Sequence, residues 1–214
     1  MLSHNEIDTL KRDQNNQTNR KMNKLKYTIL IAVIGVFTLS SCGYNSMVNK
    51  QEAVTAQWAQ VENAYQRRAD LIPNLVSTVK GYAAHEQETF TAVVDARARA
   101  TQVTVNPEEL TEEGIQEFQQ AQGQLSSALG KLLMIRENYP DLKANQNFLA
   151  LQDELAGTEN RIAVERNRFN ENARDYNQYI RRFPHVIYAG MFGFKKKGYF
   201  EADAGAQTVP AVEF

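Results

Sequence analysis

From residue 54 onward the apolar side chains fall at Val54, Trp58, Val61, Tyr65, Ile72, Leu75, Val79 and Tyr82. They stand three or four positions apart, with one double step of seven from Tyr65 to Ile72, the period of one helix face. The same period returns over 115–135, with Phe118, Leu125, Leu129, Leu132 and Leu133 on one side, and again over 148–180. No run of alternating β-branched residues suggests a strand. The pattern predicts an all-α chain.

The five prolines, Pro73, Pro107, Pro140, Pro184 and Pro210, punctuate that pattern, since proline disrupts a helix interior. They predict helices over 44–68, 71–101, 107–137 and 145–182. Thirty residues of helix reach about 45 Å, so the four are matched in length and suit an up-and-down bundle of long antiparallel helices. In the stretch TVNPEEL, Asn106 suits a cap, Pro107 a first turn, and Glu108 and Glu109 the positive end of a helix. Pro73 allows two topologies. Asp70 as a cap with Pro73 in the first turn gives four helices; apolar spacing that runs on through Pro73 gives three, the first kinked there. Length matching favours four.

The first twenty residues are polar and do not fold alone. Lys21, Lys24 and Lys26 then precede an apolar run over 27–39, and Ser40 and Ser41 lead into Cys42, the only cysteine. This is the layout of a secretory signal, with Met22 as the better translation start. The apolar run is shorter than the roughly 20 residues that span a bilayer. Leu39-Ser40-Ser41-Cys42 resembles the bacterial lipobox, which implies a diacylglyceryl group on the Cys42 sulfur, cleavage before Cys42 and acylation of its new amino group. Several acyl chains hold a protein at a bilayer where one holds weakly. The chain then divides into a leader and lipoprotein signal peptide (1–41), a helical domain (42–200) and a flexible tail (201–214).

Chemistry is sparse. One cysteine excludes an internal disulfide, and a net charge of −1 over 214 residues gives no bulk attraction to nucleic acid. The histidines His4, His85 and His185 are scattered. HEQET at His85 has Thr89 where a second zinc ligand would stand, and no glutamate–histidine pair of the di-iron kind occurs. The expectation is no enzyme, no metal and no cofactor. The basic stretches ARARA (96–100) and Lys195–Lys197 read as a solvated face and a polar tail. VIYAGMFGF (186–194) reads as a cap on the bundle end, with contact to lipid headgroups as the alternative.

The polar residues inside the helices carry more. Arg68 falls on the apolar stripe of the first helix. Asn170 and Asn177 are seven apart, as are Asn160 and Asn167, and a polar residue at an inward heptad position sets register. Arg67, Arg68, Asp70, Glu159 and Arg161 can form cross-helix charged hydrogen bonds. Together with Asn170 and Asn177 they make the candidate polar network.

Five blocks in order, YQRRADLIPNLVSTVKGYAAHE (65–86), ARARA, ENYPDLKAN (137–145), LQDELAGTENRIAVERNRFN (151–170) and YNQYIRRFP (176–184), resemble the LemA family over about 44–200. The resemblance implies an envelope protein with an N-terminal membrane segment and a helical bundle, of unestablished molecular function; a lipobox cysteine stands where many relatives have a plain membrane anchor. The expected function is a lipid-anchored, non-enzymatic scaffold or adaptor of the bacterial cell envelope, on the extracytoplasmic side. It would meet the membrane through Cys42 and an envelope protein through its bundle; self-association into a homo-oligomer stays open. The alternative is a regulatory partner of an envelope membrane protease or stress-response system.

Overall fold

The computed structural model describes the backbone of residues 4–201, with side chains at residues 20–22, 24 and 26 and from 43 onward. The chain divides into two compact units, Met1–Ser46 and Met47–Phe214. The described part of the first is helical throughout and belongs to α1 (His4–Tyr82). The second contains the rest of α1, α2 (Gln87–Gln102), α3 (Glu112–Met134), a 3-10 turn (Ile135–Asn138), the short α4 (Pro140–Lys143), α5 (Gln146–Arg181) and α6 (His185–Phe192). There is no strand among the described residues.

The first correction lies at Pro73. No helix begins at Asp70; α1 runs through Pro73 to Tyr82, and the turn comes at 83–86. Positions 58 and 82 therefore sit on one helix, about 36 Å apart at the usual rise. A proline inside a helix leaves the carbonyl four residues earlier without its donor. Here that carbonyl belongs to Ala69, and Arg97 Nε from α2 donates to it at 2.8 Å. ARARA is thus not wholly a solvated face: Arg97 replaces the missing backbone N–H.

The second correction concerns the remaining starts. Asn106 Oδ1 accepts from the Glu108 amide at 3.0 Å and closes a turn. The helix itself begins five residues later than Pro107, where Thr111 caps by accepting from Gly114 N at 3.2 Å. Asn145 caps α5, accepting from Phe148 N at 2.9 Å, so this helix begins within a residue of the predicted 145.

Contacts fix the directions within the second unit. Arg97 at Ala69 brings α2 back along α1. Phe118 against Trp58 and Tyr65, and Gln122 and Ser126 at Arg68, run α3 alongside α1 in the same sense. Asn145 at Tyr82, Glu159 at Arg68 and Phe169 at Trp58 bring α5 back. Four matched helices are not what results. α5 has 36 residues and α2 only 16, so α2 flanks α1 near its Tyr82 end alone. Toward Met47 the missing layer is supplied by the non-helical segment 194–201.

The core follows this division. Ile72, Leu75, Val79, Val93, Leu125, Leu129, Leu132, Phe148 and Leu155 form a mainly aliphatic cluster at the Tyr82 end. Trp58, Tyr65, Phe118, Phe169, Tyr176 and Phe200 dominate a second, aromatic cluster that reaches Met47, Ile180 and Ala189. Arg68 lies between them.

Candidate functional site

Arg68 is placed by α1 on its apolar stripe and is 1% exposed. A buried guanidinium is costly without acceptors; Nε has none here, and the two terminal nitrogens carry the bonding. Nη1 donates to Ser126 Oγ at 2.8 Å and to Glu159 Oε1 at 2.6 Å, while Nη2 donates to the Gln122 side chain at 2.7 Å. Gln122 in turn donates to the Ala100 carbonyl at 3.1 Å, which joins α2 to the cluster. The guanidinium carbon lies 5.1 Å from the centre of the Tyr65 ring. A cleft of about 260 Å³ opens over Arg68 and Glu159. Arg68 thus joins all four main helices.

The other candidate network residues do not gather at this point. Arg67 and Arg161 line a different cleft of about 450 Å³ between α1 and α5. Arg67 pairs there with Glu154 at 3.2 Å, both well exposed, and Arg161 pairs with Glu165 at 2.9 Å. Asp70 accepts from Gln66 at 2.8 Å on the surface. Asn160 and Asn167 are exposed.

Asn170 and Asn177 take on a task that helix spacing alone did not disclose. Each clamps the backbone of segment 194–201 in both directions. Asn177 donates to the Lys197 carbonyl and accepts from the Lys197 amide, both at 2.8 Å. Asn170 does the same with Phe200, both at 2.9 Å. Seven helical residues rise about 10.5 Å, and three residues of extended chain cover about 10 Å, so the two clamps match only a nearly straight segment. Gly198 lies between them, its amide donating to the Leu110 carbonyl at 2.9 Å. A Cβ at Gly198 would stand 2.7 Å from Glu112 Cα, so no larger residue fits. Leu110 itself is held at a φ of 42°. Phe200 then stacks on Trp58 with 5.8 Å between ring centres.

Two buried charges were missed in the sequence. Lys197 is 2% exposed and its ammonium donates to the carbonyls of Glu108 and Glu109, so the lysine run is not simply a polar tail. Burial pushes its pKa down, opposed by the Glu108 and Glu109 charges. Glu165, 2% exposed, accepts from Gln57 at 2.8 Å. That bond holds its carboxyl below the ordinary range, aided by Arg168 and Arg161 and opposed by burial. Burial also raises the Tyr176 phenol to about 12.

The backbone of Cys42 belongs to α1, but its side chain, like those of 27–39, lies outside the described residues, as do residues 202–214. Among the described residues no helix is long and apolar enough to cross a membrane. Nor does any group of three or more His, Cys, Asp or Glu among them have the arrangement to hold a metal ion. His85 is exposed; Glu86 beside it accepts from the Tyr139 hydroxyl at 3.2 Å and so helps tie the Tyr82 end.

Comparison with known proteins gives a consistent picture. Magnetosome protein MamQ of Magnetospirillum gryphiswaldense is 27% identical over 196 residues, covering 84% of this chain and 72% of that protein. Magnetosome protein MamQ 2 of Paramagnetospirillum magneticum is 26% identical with the same coverage. Protein LemA of Metamycoplasma hominis is 25% identical over 154 residues, covering 72% of this chain and 67% of that protein. The LemA family model matches residues 57–214, which takes in the Arg68 cluster, both asparagine clamps and Gly198, and the chain belongs to the LemA family.

Proposed function

We propose that this protein is a lipid-anchored, non-enzymatic helical protein of the bacterial cell envelope that works through protein–protein contacts as a scaffold or adaptor. The observation that carries the reading is where the buried charge goes. Arg68, Glu165 and Lys197 each end on partners from another part of the chain. Perturbed groups in a cleft can mark catalysis, but the hydrogen bonds of these three tie separate segments of the bundle together, Arg68 Nε alone having no acceptor. What then remains for function is the outer surface. The relatives named magnetosome proteins carry the name of a cellular structure, in keeping with a structural role. Residues 1–41 comprise a polar leader and the lipoprotein signal peptide, Cys42 takes the lipid, and the bundle stands on the extracytoplasmic side.

Two measurements test this. Labelled fatty acid enters the protein in cells, and Cys42→Ala abolishes the labelling and leaves uncleaved precursor. A mature chain of unmodified mass overturns the lipid anchor. Crosslinking in intact cells followed by pull-down then returns a set of envelope structural proteins. A single dominant protease would instead assign the chain to regulation of that enzyme.

A further inference from the structure

The end of the bundle at α6 has an exposed face that the core does not use. Ala189 of α6 joins the cluster of Met47 and Ile180, and Tyr188 packs partly against it. The opposite face carries Val186, Ile187 and Met191, flanked by Phe183 before the helix and Phe192 at its end. Phe183 is 81% exposed and Met191 74%. Spacing of one, three and four places Val186, Ile187, Gly190 and Met191 on one side of the helix. Such an apolar patch in water marks a contact site.

The charge around it selects the partner. Arg181 and Arg182 precede the patch, and Lys195 and Lys196 follow it, all four exposed. From 181 to 200 the chain has no Asp or Glu. Bulky apolar side chains rimmed by Lys and Arg are what an anionic lipid surface receives, the apolar groups entering the headgroup boundary and the cations meeting phosphates. Chain connectivity agrees. Met47, in the same cluster as Ala189, follows Cys42 by five positions, and five residues span at most about 18 Å.

We propose that the α6 face, with Phe183, Val186, Ile187 and Met191 between the Arg181–Arg182 and Lys195–Lys196 pairs, docks onto an anionic bilayer beside the anchor. The surface adds a second membrane contact and fixes which end of the bundle faces the lipid. It rests on the anchoring proposed above only for its location, and the two fail separately.

The test uses the full chain reconstituted into vesicles of phosphatidylcholine with or without phosphatidylglycerol. Met191→Trp introduces a reporter on the face, and Met134→Trp, at the exposed end of α3, supplies the control; buried Trp58 is common to both. Lipids brominated on the acyl chains quench Met191→Trp and leave Met134→Trp at the level of the unsubstituted chain. The quenching increases with phosphatidylglycerol and falls when Lys195→Glu and Lys196→Glu are added. Equal quenching of the two reporters in a chain that floats with the vesicles overturns the proposal. So does a blue shift of Met191→Trp that grows with protein concentration and ignores bromine, which would identify a second copy as the occupant. Flotation of Cys42→Ala on vesicles without phosphatidylglycerol reports on the anchor, since the α6 face depends on the anionic lipid.

Discussion

The two ends of the second unit solve one packing problem in different ways. At the Tyr82 end, α2 closes the aliphatic core as a helix whose own backbone is satisfied internally. At the Met47 end, the aromatic core is closed by segment 194–201, whose backbone is held by Asn177, Asn170 and the Leu110 carbonyl from elsewhere in the chain. A helix closes a core with side chains chosen for size. A bare segment needs partners at fixed positions, which is why two asparagines, one glycine and a buried lysine appear only in the second solution. The Tyr82 end is expected to tolerate substitution, and the Met47 end to fail at single points.

The largest effect that separates the two is expected from Trp58→Ala. Trp58 is fully buried between Phe118, Phe169 and Phe200, and such a truncation costs about 3–5 kcal/mol. Thermal unfolding would show the loss, and hydrogen exchange would place it first at 194–201 rather than in α2. Uniform acceleration of exchange would mean that the two ends are one cooperative unit.

Asn177→Ala comes next, at about 1–3 kcal/mol, because it leaves the Lys197 amide and carbonyl without partners. The amides of 197–201 should exchange faster while those of α2 keep their protection. Unchanged exchange at Lys197 would show the clamp to be dispensable.

Arg97→Ala should cost about 1 kcal/mol, the low end for an unsatisfied carbonyl, since Arg97 is only half-buried. Pro73→Ala restores the backbone donor to Ala69. In a double-mutant cycle the two substitutions should therefore couple by at least about 0.5 kcal/mol, and additive costs would show that Arg97 contributes only surface packing.

The smallest effect at neutral pH is expected from Glu165→Gln, which keeps the side chain's shape. Its signature is a pH dependence. A carboxyl whose folded pKa is lowered contributes stability above its ordinary value and loses it as pH falls through the folded one. The unsubstituted chain should thus lose stability below the ordinary carboxylate range, and Glu165→Gln should flatten that slope. Parallel acid curves would place the titrating group elsewhere.

Much of the fold was legible because it depends on local signals. The stripe from Val54 to Val79 is buried at each of its apolar positions, and α5 starts and ends within a residue of the predicted 145–182. Tyr82 leaves the stripe to bond Asn145 at the exposed end. What was illegible depends on partners distant in sequence. Pro73 reads as a helix start because proline breaks helices in isolation, and only Arg97, 28 residues after the Ala69 carbonyl it meets, cancels that rule. Lys197 reads as part of a polar tail and Glu165 goes unremarked, because nothing near either in sequence announces burial. Arg68 was the exception, since its place on the apolar stripe already set it inside.

The Pro73–Arg97 contact also has a consequence for the order of assembly. A chain made from its N-terminus completes residues 47–82 before Arg97 exists. Until then the Ala69 carbonyl has only water to satisfy it, and the turn at Pro73 lacks one of the bonds that make helix formation cooperative. The first helix of the bundle is therefore finished by sequence that follows it. Any nascent or truncated form ending before Arg97 would carry a soft joint at the level where, in the complete protein, Arg68 links all four helices.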